Sequence, residues 1–393
     1  MPRFEPFAAL RYTVPLDAVI APPYDVLSDD EVDALAARDE HNVVHVDVPR
    51  ERDGDERYRI AAERLQSWID AGVMVADDTP SLTLYRMRFT DATGAERDIV
   101  GVMGGLEVVD EGAGGVLPHE RTTPKASTDR LDLTRATRCN LSPIWGLSLA
   151  GGLTELLAPA GEAMGSVTVD GVEHIVERVT DSARVAAVAD ALGSDDVLIA
   201  DGHHRYGVAR TYRDEIRRST GSHETPAELT LAFVSELVAD QLSVDAIHRL
   251  YLAPSFDEIR ARLTAAFDLE PAGWVDSTTL AQMDARGALC LVDGAGGGTW
   301  LLPRPGAFEG IRALDGAWLE HALADAGADV SYQHGVDRVL EAVRAGAAQA
   351  AVLIRPVSVA EIERTAREGL LMPPKSTFFT PKLRTGLVVR PLT

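Results

Sequence analysis

Residues 197–206 read Val197-Leu198-Ile199-Ala200-Asp201-Gly202-His203-His204-Arg205-Tyr206, and this stretch decides the fold. Its four leading apolar residues predict a short buried strand, and Val208, Tyr212 and Ile216 then predict the apolar face of a helix. A strand that turns directly into a helix points backbone N–H groups and the positive end of the helix dipole at one place. The stretch therefore predicts a cradle for an anion such as phosphate.

The side chains of this turn add chemistry to the backbone. Gly202 permits a close approach of the backbone or a positive φ, and Arg205 can offer a two-pronged hydrogen bond to phosphate oxygens. A histidine can donate or shuttle a proton. We take Gly202, His203 and Arg205 as phosphate-binding candidates, and Asp201 and His204 as catalytic candidates. The alternative is that Asp201 only caps the helix and that one histidine packs in the core.

A second polar block spans residues 118–143, in a loop marked by prolines and in the helix expected after it. A carboxylate placed beside cations is a candidate general base, while the cations can bind an anionic substrate. The catalytic candidates here are His119 and Glu120. The candidates for binding phosphate or nucleotide are Lys125, Arg130, Arg138, Asn140 and Ser142. The alternative is a solvated loop held by salt bridges.

A third block lies near the end of the sequence, at residues 372–382. Only three of the 38 basic residues are lysines, and all three fall in the polar blocks. A lysine retained among arginines suggests a compact contact to phosphate or a catalytic amine. The binding candidates here are Lys375, Ser376, Thr377 and Lys382. Earlier in the chain, Tyr24 and Asp25 follow two prolines and could present a rigid polar pair, although a simple turn explains them equally well.

Strand and helix patterns alternate through the chain and predict an α+β or α/β fold. Hairpins are expected at Asp91-Ala92-Thr93-Gly94 and at Asp170-Gly171, and residues 18–21 predict a strand. A polar stretch at residues 219–226 suggests a boundary between two lobes. We therefore expect an N-terminal lobe at 1–220 with the first two polar blocks, and a C-terminal α/β lobe at 221–393 that returns the third block to the site.

Charge and composition exclude several kinds of partner. The net charge of −23 opposes nonspecific binding to nucleic acid or to an anionic membrane surface. The first residues lack the pattern of a secretory signal, so a cytoplasmic location is expected. The motifs typical of zinc, P-loop and dinucleotide sites are missing from the sequence, which leaves no zinc, flavin or NAD signal. The oligomeric state stays open.

The three blocks together resemble domain-of-unknown-function family 1015 over nearly the whole chain. The resemblance rests on residues 20–26, 118–120, 140–144, 200–206 and 372–377. This resemblance implies no particular activity.

The turn Gly202-His203-His204-Arg205 also resembles the G-x-x-R turn of the ParB/sulfiredoxin-like fold, whose members include free-serine kinases and chromosome-partitioning proteins. The resemblance implies that this turn holds nucleotide phosphates and that an acidic residue deprotonates a substrate hydroxyl. Glu120 is the first choice for that acid, and Asp25 is the reserve. ATP or ADP with Mg²⁺ is the implied cofactor.

The function best supported by the sequence is a phosphotransferase or phosphohydrolase acting on a small metabolite such as serine or phosphoserine. Phosphoryl transfer requires mainly positioning and charge neutralisation, which these residue types can supply. One alternative is a nucleotide-sensing regulator that acts through a protein partner without turnover. Another is a metal-dependent hydrolase that uses His119, His203 or His204. We expect all three polar blocks to meet around one pocket.

Overall fold

The computed structural model describes residues 1–50, 54, 56–91, 94–119 and 127–393. Within these residues the chain forms an α+β fold, as expected from the sequence. The β-strands are β1 Phe4–Glu5, β2 Leu10–Tyr12, β3 Met74–Ala76, β4 Leu82–Thr90, β5 Glu96–Glu107, β6 Val116–Pro118, β7 Cys139–Asn140, β8 Ile144–Ser148, β9 Glu162–Val169, β10 Val172–Val179, β11 Val197–Asp201, β12 Leu229–Glu236, β13 Ser243–Asp245, β14 Ile247–Ala253, β15 Phe267–Trp274, β16 Leu289–Val292, β17 Gly297–Pro303, β18 Asp329–His334, β19 Ala350–Leu353, β20 Phe378–Thr380 and β21 Arg390–Pro391.

The helices of the same described residues vary widely in length, from four residues in α1 and α3 to 18 in α8. They are α1 Leu16–Val19, α2 Asp29–Arg38, α3 Val44–Asp47, α4 Arg57–Asp70, α5 Ser127–Thr137, α6 Leu153–Leu157, α7 Ser182–Leu192, α8 His203–Thr220, α9 Phe256–Leu263, α10 Thr279–Arg286, α11 Asp315–Ala322, α12 Val336–Arg344 and α13 Val359–Arg367. None of the helices in the described part of the chain is long and apolar enough to cross a membrane.

The chain divides into two units, and the first consists of Met1–Ser243 together with Pro381–Thr393. Its nine-stranded sheet has the order β6-β11-β8-β12-β5-β4-β10-β9, with β1 added beside β5. Both predicted hairpins are confirmed, since β4 pairs with β5 and β9 pairs with β10. Helix α8 packs on β8, β12 and α5. The sheet therefore fixes β11 and the start of α8.

The last segment of the chain, Pro381–Thr393, is part of the first unit. Its backbone bonds to distant strands and loops: Leu10 donates to the carbonyl of Val389 at 2.9 Å, and Thr385 donates to Ala21 at 2.8 Å. Strand β21 pairs with β7. These bonds hold the segment against the sheet unit, so that its side chains occupy fixed positions there.

The second unit, Val244–Thr380, has its own antiparallel sheet and its own core. The sheet order is β15-β17-β16-β19-β14-β18. Strand β19 is buried along its whole length, which agrees with its continuous apolar sequence Ala350-Ala351-Val352-Leu353. Helices α9 to α13 belong to this unit.

Two details differ from the sequence predictions. The strand expected at residues 18–21 is wrong, because helix α1 begins after Pro15 and Ile20 donates to the carbonyl of Leu16 at 3.1 Å. A short apolar run suits a helix or a strand equally, and only Ala21 finds a β-bridge. The boundary expected at residue 220 falls inside the first unit, since β12 pairs with both β5 and β8.

Glu236, at the end of β12, supports the start of α6 and provides a first prediction. Its carboxylate accepts N–H groups from Gly152 at 2.9 Å and Thr154 at 2.7 Å. Burial alone would raise the pKa of Glu236, but these hydrogen bonds outweigh burial and lower it. Because its pKa is lowered on folding, the ionised group stabilises the fold at any pH above its unfolded pKa of about 4.3. This stabilisation is lost as the pH falls through the pKa of the folded state.

We therefore expect Glu236→Gln to destabilise the first unit by about 1–3 kcal/mol at pH 7, with the difference shrinking below about pH 4.3. Urea unfolding of variant and wild type across this pH range measures the effect. Glu155→Gln is the matched control, because Glu155 is an exposed glutamate in α6, the helix whose start Glu236 supports. A Glu236→Gln effect that stays constant with pH contradicts the prediction.

Candidate functional site

The strand–turn–helix unit expected from the sequence is present at β11 and α8. Strand β11 ends at Asp201, Gly202 has a φ of 88°, and α8 begins at His203. Among the described residues, no side chain caps the start of α8, and its first turn contains no acidic residue. The dipole of this 18-residue helix therefore presents its positive end without a built-in carboxylate cap.

Glycine is required at position 202 for two reasons. A positive φ is strained for residues with a side chain. A Cβ atom here would also lie 3.1 Å from Cζ and Nε of Arg205 and 3.1 Å from Cγ2 of Ile144. The glycine thus leaves the space in which the Arg205 guanidinium lies against the turn.

Asp201 is held between two cations. Its Oδ1 accepts a hydrogen bond from Nζ of Lys382 at 3.0 Å, and its Oδ2 accepts one from Arg205 at 2.8 Å. Burial alone would raise the pKa of the Asp201 carboxyl, but Lys382 and Arg205 outweigh burial and hold it well below its usual range. Asp201 is therefore ionised at neutral pH. The three groups together carry one net positive charge at the start of α8.

Arg205 is nine-tenths buried, with 9% of its side chain exposed. One terminal nitrogen donates to Asp201 and the other donates to the carbonyl of Pro143. Its Nε is buried and has no hydrogen-bond partner among the described residues. An N–H left without a partner in a buried place costs roughly 1–3 kcal/mol, so this guanidinium retains capacity for an anion.

Histidines border the same turn. His119 is fully buried, and its Nδ1 lies 2.6 Å from the carbonyl oxygen of Ile199. Burial lowers the pKa of His119 to about 4, so its ring is neutral at pH 7 with Nδ1 as the donor. The ring centroids of His119 and His203 are 5.0 Å apart, and His204 is partly buried. The structure thus brings the histidines of the first two polar blocks together.

A second polar cluster joins α3 and α5. One terminal nitrogen of Arg130 donates to the backbone oxygen of Asp47 at 2.5 Å and lies 3.3 Å from its Oδ1. Arg130 also pairs with Asp129 at 3.0 Å, and its guanidinium lies over the ring of Tyr24, 4.1 Å from the centroid. Tyr24 and Asp25 form a 3₁₀ turn, and Asp25 is exposed.

A cavity of about 50 Å³ lies beside this cluster. Its polar lining includes Asp47, Arg130, Asn140, Ser142 and Arg205. The rest of the lining is mostly apolar and comes from α5, α8 and the segments around Leu229 and Leu392. The cavity thus connects Arg205 of the turn with Arg130 and Asp47 of the cluster.

Sequence reasoning missed Asp47. This residue is only 3% exposed, and it ends the apolar run Val43-Val44-His45-Val46. A carboxylate directly after an apolar run was the available signal, because buried acidic residues are rare unless they are paired or functional. No local motif accompanied it.

The other predicted residues have varied surroundings. The side chain of Arg138 is exposed, and Oδ1 of Asn140 accepts the backbone N–H of Leu231 at 3.0 Å. Glu120 and Lys125 lie outside the described residues. The third block divides between the units: Lys382 is in the first, while Lys375 to Thr377 are in the second.

Within the second unit, the backbone around Lys375 is unusual. Lys375 has a φ of 57°, and its carbonyl accepts a hydrogen bond from Arg249 at 2.9 Å. The hydroxyl of Ser376 donates to the carbonyl of Pro373 at 2.8 Å, and both Ser376 and Thr377 are buried. Lys382 of the third block thus meets the first block at Asp201, whereas the meeting of Lys375 to Thr377 with the first two blocks stays a prediction.

No set of three or more histidine, cysteine, aspartate or glutamate side chains in the described residues is arranged to hold a metal ion. Both cysteines, Cys139 and Cys290, are buried, and burial raises the pKa of each thiol to about 12. At neutral pH neither is a thiolate, so the described site offers amines, guanidinium groups, carboxyls and imidazoles for chemistry.

The first unit is thus an α+β domain in which a strand–turn–helix element and the segment Pro381–Thr393 place two cations around one carboxylate. Over residues 4–317 the chain matches the family described as Protein of unknown function (DUF1015), and it belongs to that family. No curated protein matches the chain.

Several solved structures show a remote likeness in fold. A free serine kinase in complex with AMP has 13% identity and a TM-score of 0.38, covering 68% of this chain and 84% of that chain. SbnI with a C-terminal truncation, from Staphylococcus aureus, has 12% identity and a TM-score of 0.39, covering 73% and 87%. A conserved hypothetical protein from Pyrococcus furiosus has 12% identity and a TM-score of 0.37, covering 68% and 87%.

Proposed function

We propose that the first unit binds the phosphate groups of a nucleotide or phosphorylated metabolite at the start of α8. We propose further that the protein is a phosphotransferase or phosphohydrolase acting on a small metabolite such as serine or phosphoserine. The observation that carries the proposal is the sharing of one carboxylate, Asp201, by Lys382 and Arg205 at an uncapped helix start.

The charges of the turn support a phosphate ligand. Arg205 and Lys382 carry two positive charges and share the single negative charge of Asp201, which favours an anion at this place. The start of a helix favours an anion through its N–H groups and dipole. Asp201 holds the two cations in fixed positions. Less side-chain entropy is therefore lost when a ligand binds to both of them.

Of the catalytic candidates proposed from the sequence, His119 and His204 stay assigned to proton transfer near the turn. His119 is neutral and lies beside His203, so this pair can accept or relay a proton near the turn. Serine or phosphoserine as substrate follows from the resemblance of the Gly202–Arg205 sequence to the turn of free-serine kinases. ATP or ADP would bring Mg²⁺, which is usually held by phosphates, water and one or two carboxylates.

A thermal-unfolding panel tests phosphate binding. We expect at least one of ATP, ADP, AMP, pyrophosphate or phosphoserine, with or without Mg²⁺, to stabilise the wild type. The increment is about 2.7 kcal/mol at a hundred times the dissociation constant. Lys382→Met should lower the affinity for that ligand by roughly 10- to 150-fold, which is equivalent to about 1.5–3 kcal/mol for a hydrogen bond to a charged group.

Arg210→Met is the matched control, since Arg210 lies on the same helix α8 but pairs with the exposed Glu111. It should bind the ligand as the wild type does. Equal losses in both variants would indicate a general charge effect and would count against the turn as the site. Stabilisation without any phosphoryl transfer would instead support the nucleotide-sensing alternative.

A further inference from the structure

The carboxyl group of Asp47 lies in a buried position that the proposed phosphate turn does not use. Asp47 is the last residue of α3 and is 3% exposed. It lines the same cavity as Arg205, which reaches that cavity from α8. The cavity is thus lined by both a carboxyl group and a phosphate-binding candidate.

The negative charge of Asp47 is only partly compensated by the charged and titratable groups around it, which include both cations and acids. They are Arg130, Arg205, Asp25, Asp129 and Tyr24. Arg130 is the nearest cation, but it also pairs with Asp129. Asp25 and Asp129 add negative charge near Asp47. Asp47 is thus a buried carboxyl group that shares its cation with a second carboxylate.

We propose that Asp47 is the catalytic base that accepts the proton from the hydroxyl group of the phosphoryl acceptor. This inference rests on the proposed phosphotransferase function. In the step, the hydroxyl proton passes to Asp47 while the acceptor oxygen bonds to the terminal phosphorus of a nucleoside polyphosphate. The bond from that phosphorus to its bridging oxygen breaks, and its electron pair leaves with the shortened nucleotide.

The lining of the cavity indicates the class of acceptor. At about 50 Å³ the cavity holds a few water molecules, since about 10–15 Å³ of this kind of volume is enough for one. Ser142 and Asn140 in the lining offer hydrogen bonds to a polar group. The acceptor is therefore a small polar alcohol.

The environment of Asp47 also suits proton transfer. Burial raises its pKa, while Arg130 and Arg205 oppose the rise without cancelling it. A base works best when its pKa lies near the working pH, and a raised carboxyl pKa moves in that direction.

The test measures phosphoryl transfer by the full chain from ATP or ADP with Mg²⁺ to serine, ethanolamine, glycerol or water, followed by phosphorus NMR. Asp47→Asn should lower the transfer rate by about 100- to 10,000-fold, the range for loss of a general base. The thermal stabilisation by nucleotide should persist, since removing a negative charge near Arg205 does not weaken an anion site.

Asp129→Asn is the matched control, because Asp129 is the other carboxylate on Arg130 but does not line the cavity. If Asp47 only positioned Arg130, both variants would lose activity to the same degree, and the proposal would be overturned. Formate should restore part of the rate to Asp47→Ala and should not accelerate the wild type.

A measurement on the wild type alone guards against variants that fail to fold. Its rate should rise with pH through one deprotonation above the ordinary carboxyl range, and a rate that is flat from pH 4 to 8 overturns the assignment. A wild type that binds nucleotide but transfers phosphate to no acceptor overturns the base assignment and leaves phosphate binding intact. A wild type that binds no phosphate ligand overturns both proposals.

Discussion

Arg86→Met is expected to destabilise the first unit by about 3–5 kcal/mol, the usual cost of removing one partner from a buried ion pair. Arg86 on β4 donates to Glu177 on β10 at 3.0 Å, and both side chains are about nine-tenths buried. The bond to Glu177 comes from Nε, and one terminal nitrogen donates to the carbonyls of Leu157, Ala158 and Pro159. Methionine fills similar space but leaves the buried Glu177 carboxylate without its Arg86 donor, while Arg184 still donates to the carbonyls of Leu157 and Pro159.

Arg88→Met is the matched control, because Arg88 lies on the same strand and pairs with the half-exposed Asp98. An exposed pair of this kind contributes about 0–1 kcal/mol. Hydrogen exchange of the amides in β4 and β10 measures the free energy of opening within the first unit, independently of the second. Similar losses in both variants would mean that burial does not strengthen the Arg86 pair.

Gly202→Val is expected to abolish phosphate binding while leaving every charge of the turn in place. A β-branched residue is strained at a φ of 88°, and its Cβ would crowd Arg205 and Ile144 at 3.1 Å. The strain and crowding should destabilise the first unit by roughly 2–4 kcal/mol. The displaced guanidinium would no longer face the anion.

Gly207→Val provides the comparison on the same helix. A Cβ atom at Gly207 meets no described atom within 4 Å, and valine has a better helix propensity than glycine. This variant should therefore bind phosphate ligands normally and lose no stability. The phosphate-induced thermal shift compares the two. A normal shift in folded Gly202→Val would show that the turn is not the binding element.

Local patterns predicted the central element and the two hairpins because each depends on residues close in sequence. The apolar run of β11, the glycine of the turn and the stripe on α8 all lie within residues 197–216. The scarcity of lysine in the sequence indicated Lys382 as a candidate. Its ion pair with Asp201, however, joins residues 181 positions apart. The periodicity of the sequence does not predict this ion pair, since the pair depends on how the C-terminal segment packs against the sheet.

The same limit explains what the sequence left out. Asp47 acquires its surroundings from α5 and α8, and its own neighbours are ordinary apolar residues. The unit boundary was placed too early because a polar stretch after a helix is typical of a linker. Here the chain continues into β12, whose pairing with β5 and β8 is a property of the whole sheet.

The membership of Pro381–Thr393 in the first unit has a consequence for biosynthesis. A ribosome makes the turn at Gly202 early, but it adds Lys382 only after the entire second unit has been translated, and domains generally fold in the order of synthesis. A nascent chain that stops within the second unit would carry the turn and Arg205 without the lysine. Phosphate binding would thus appear late in translation, in chains extended past residue 382.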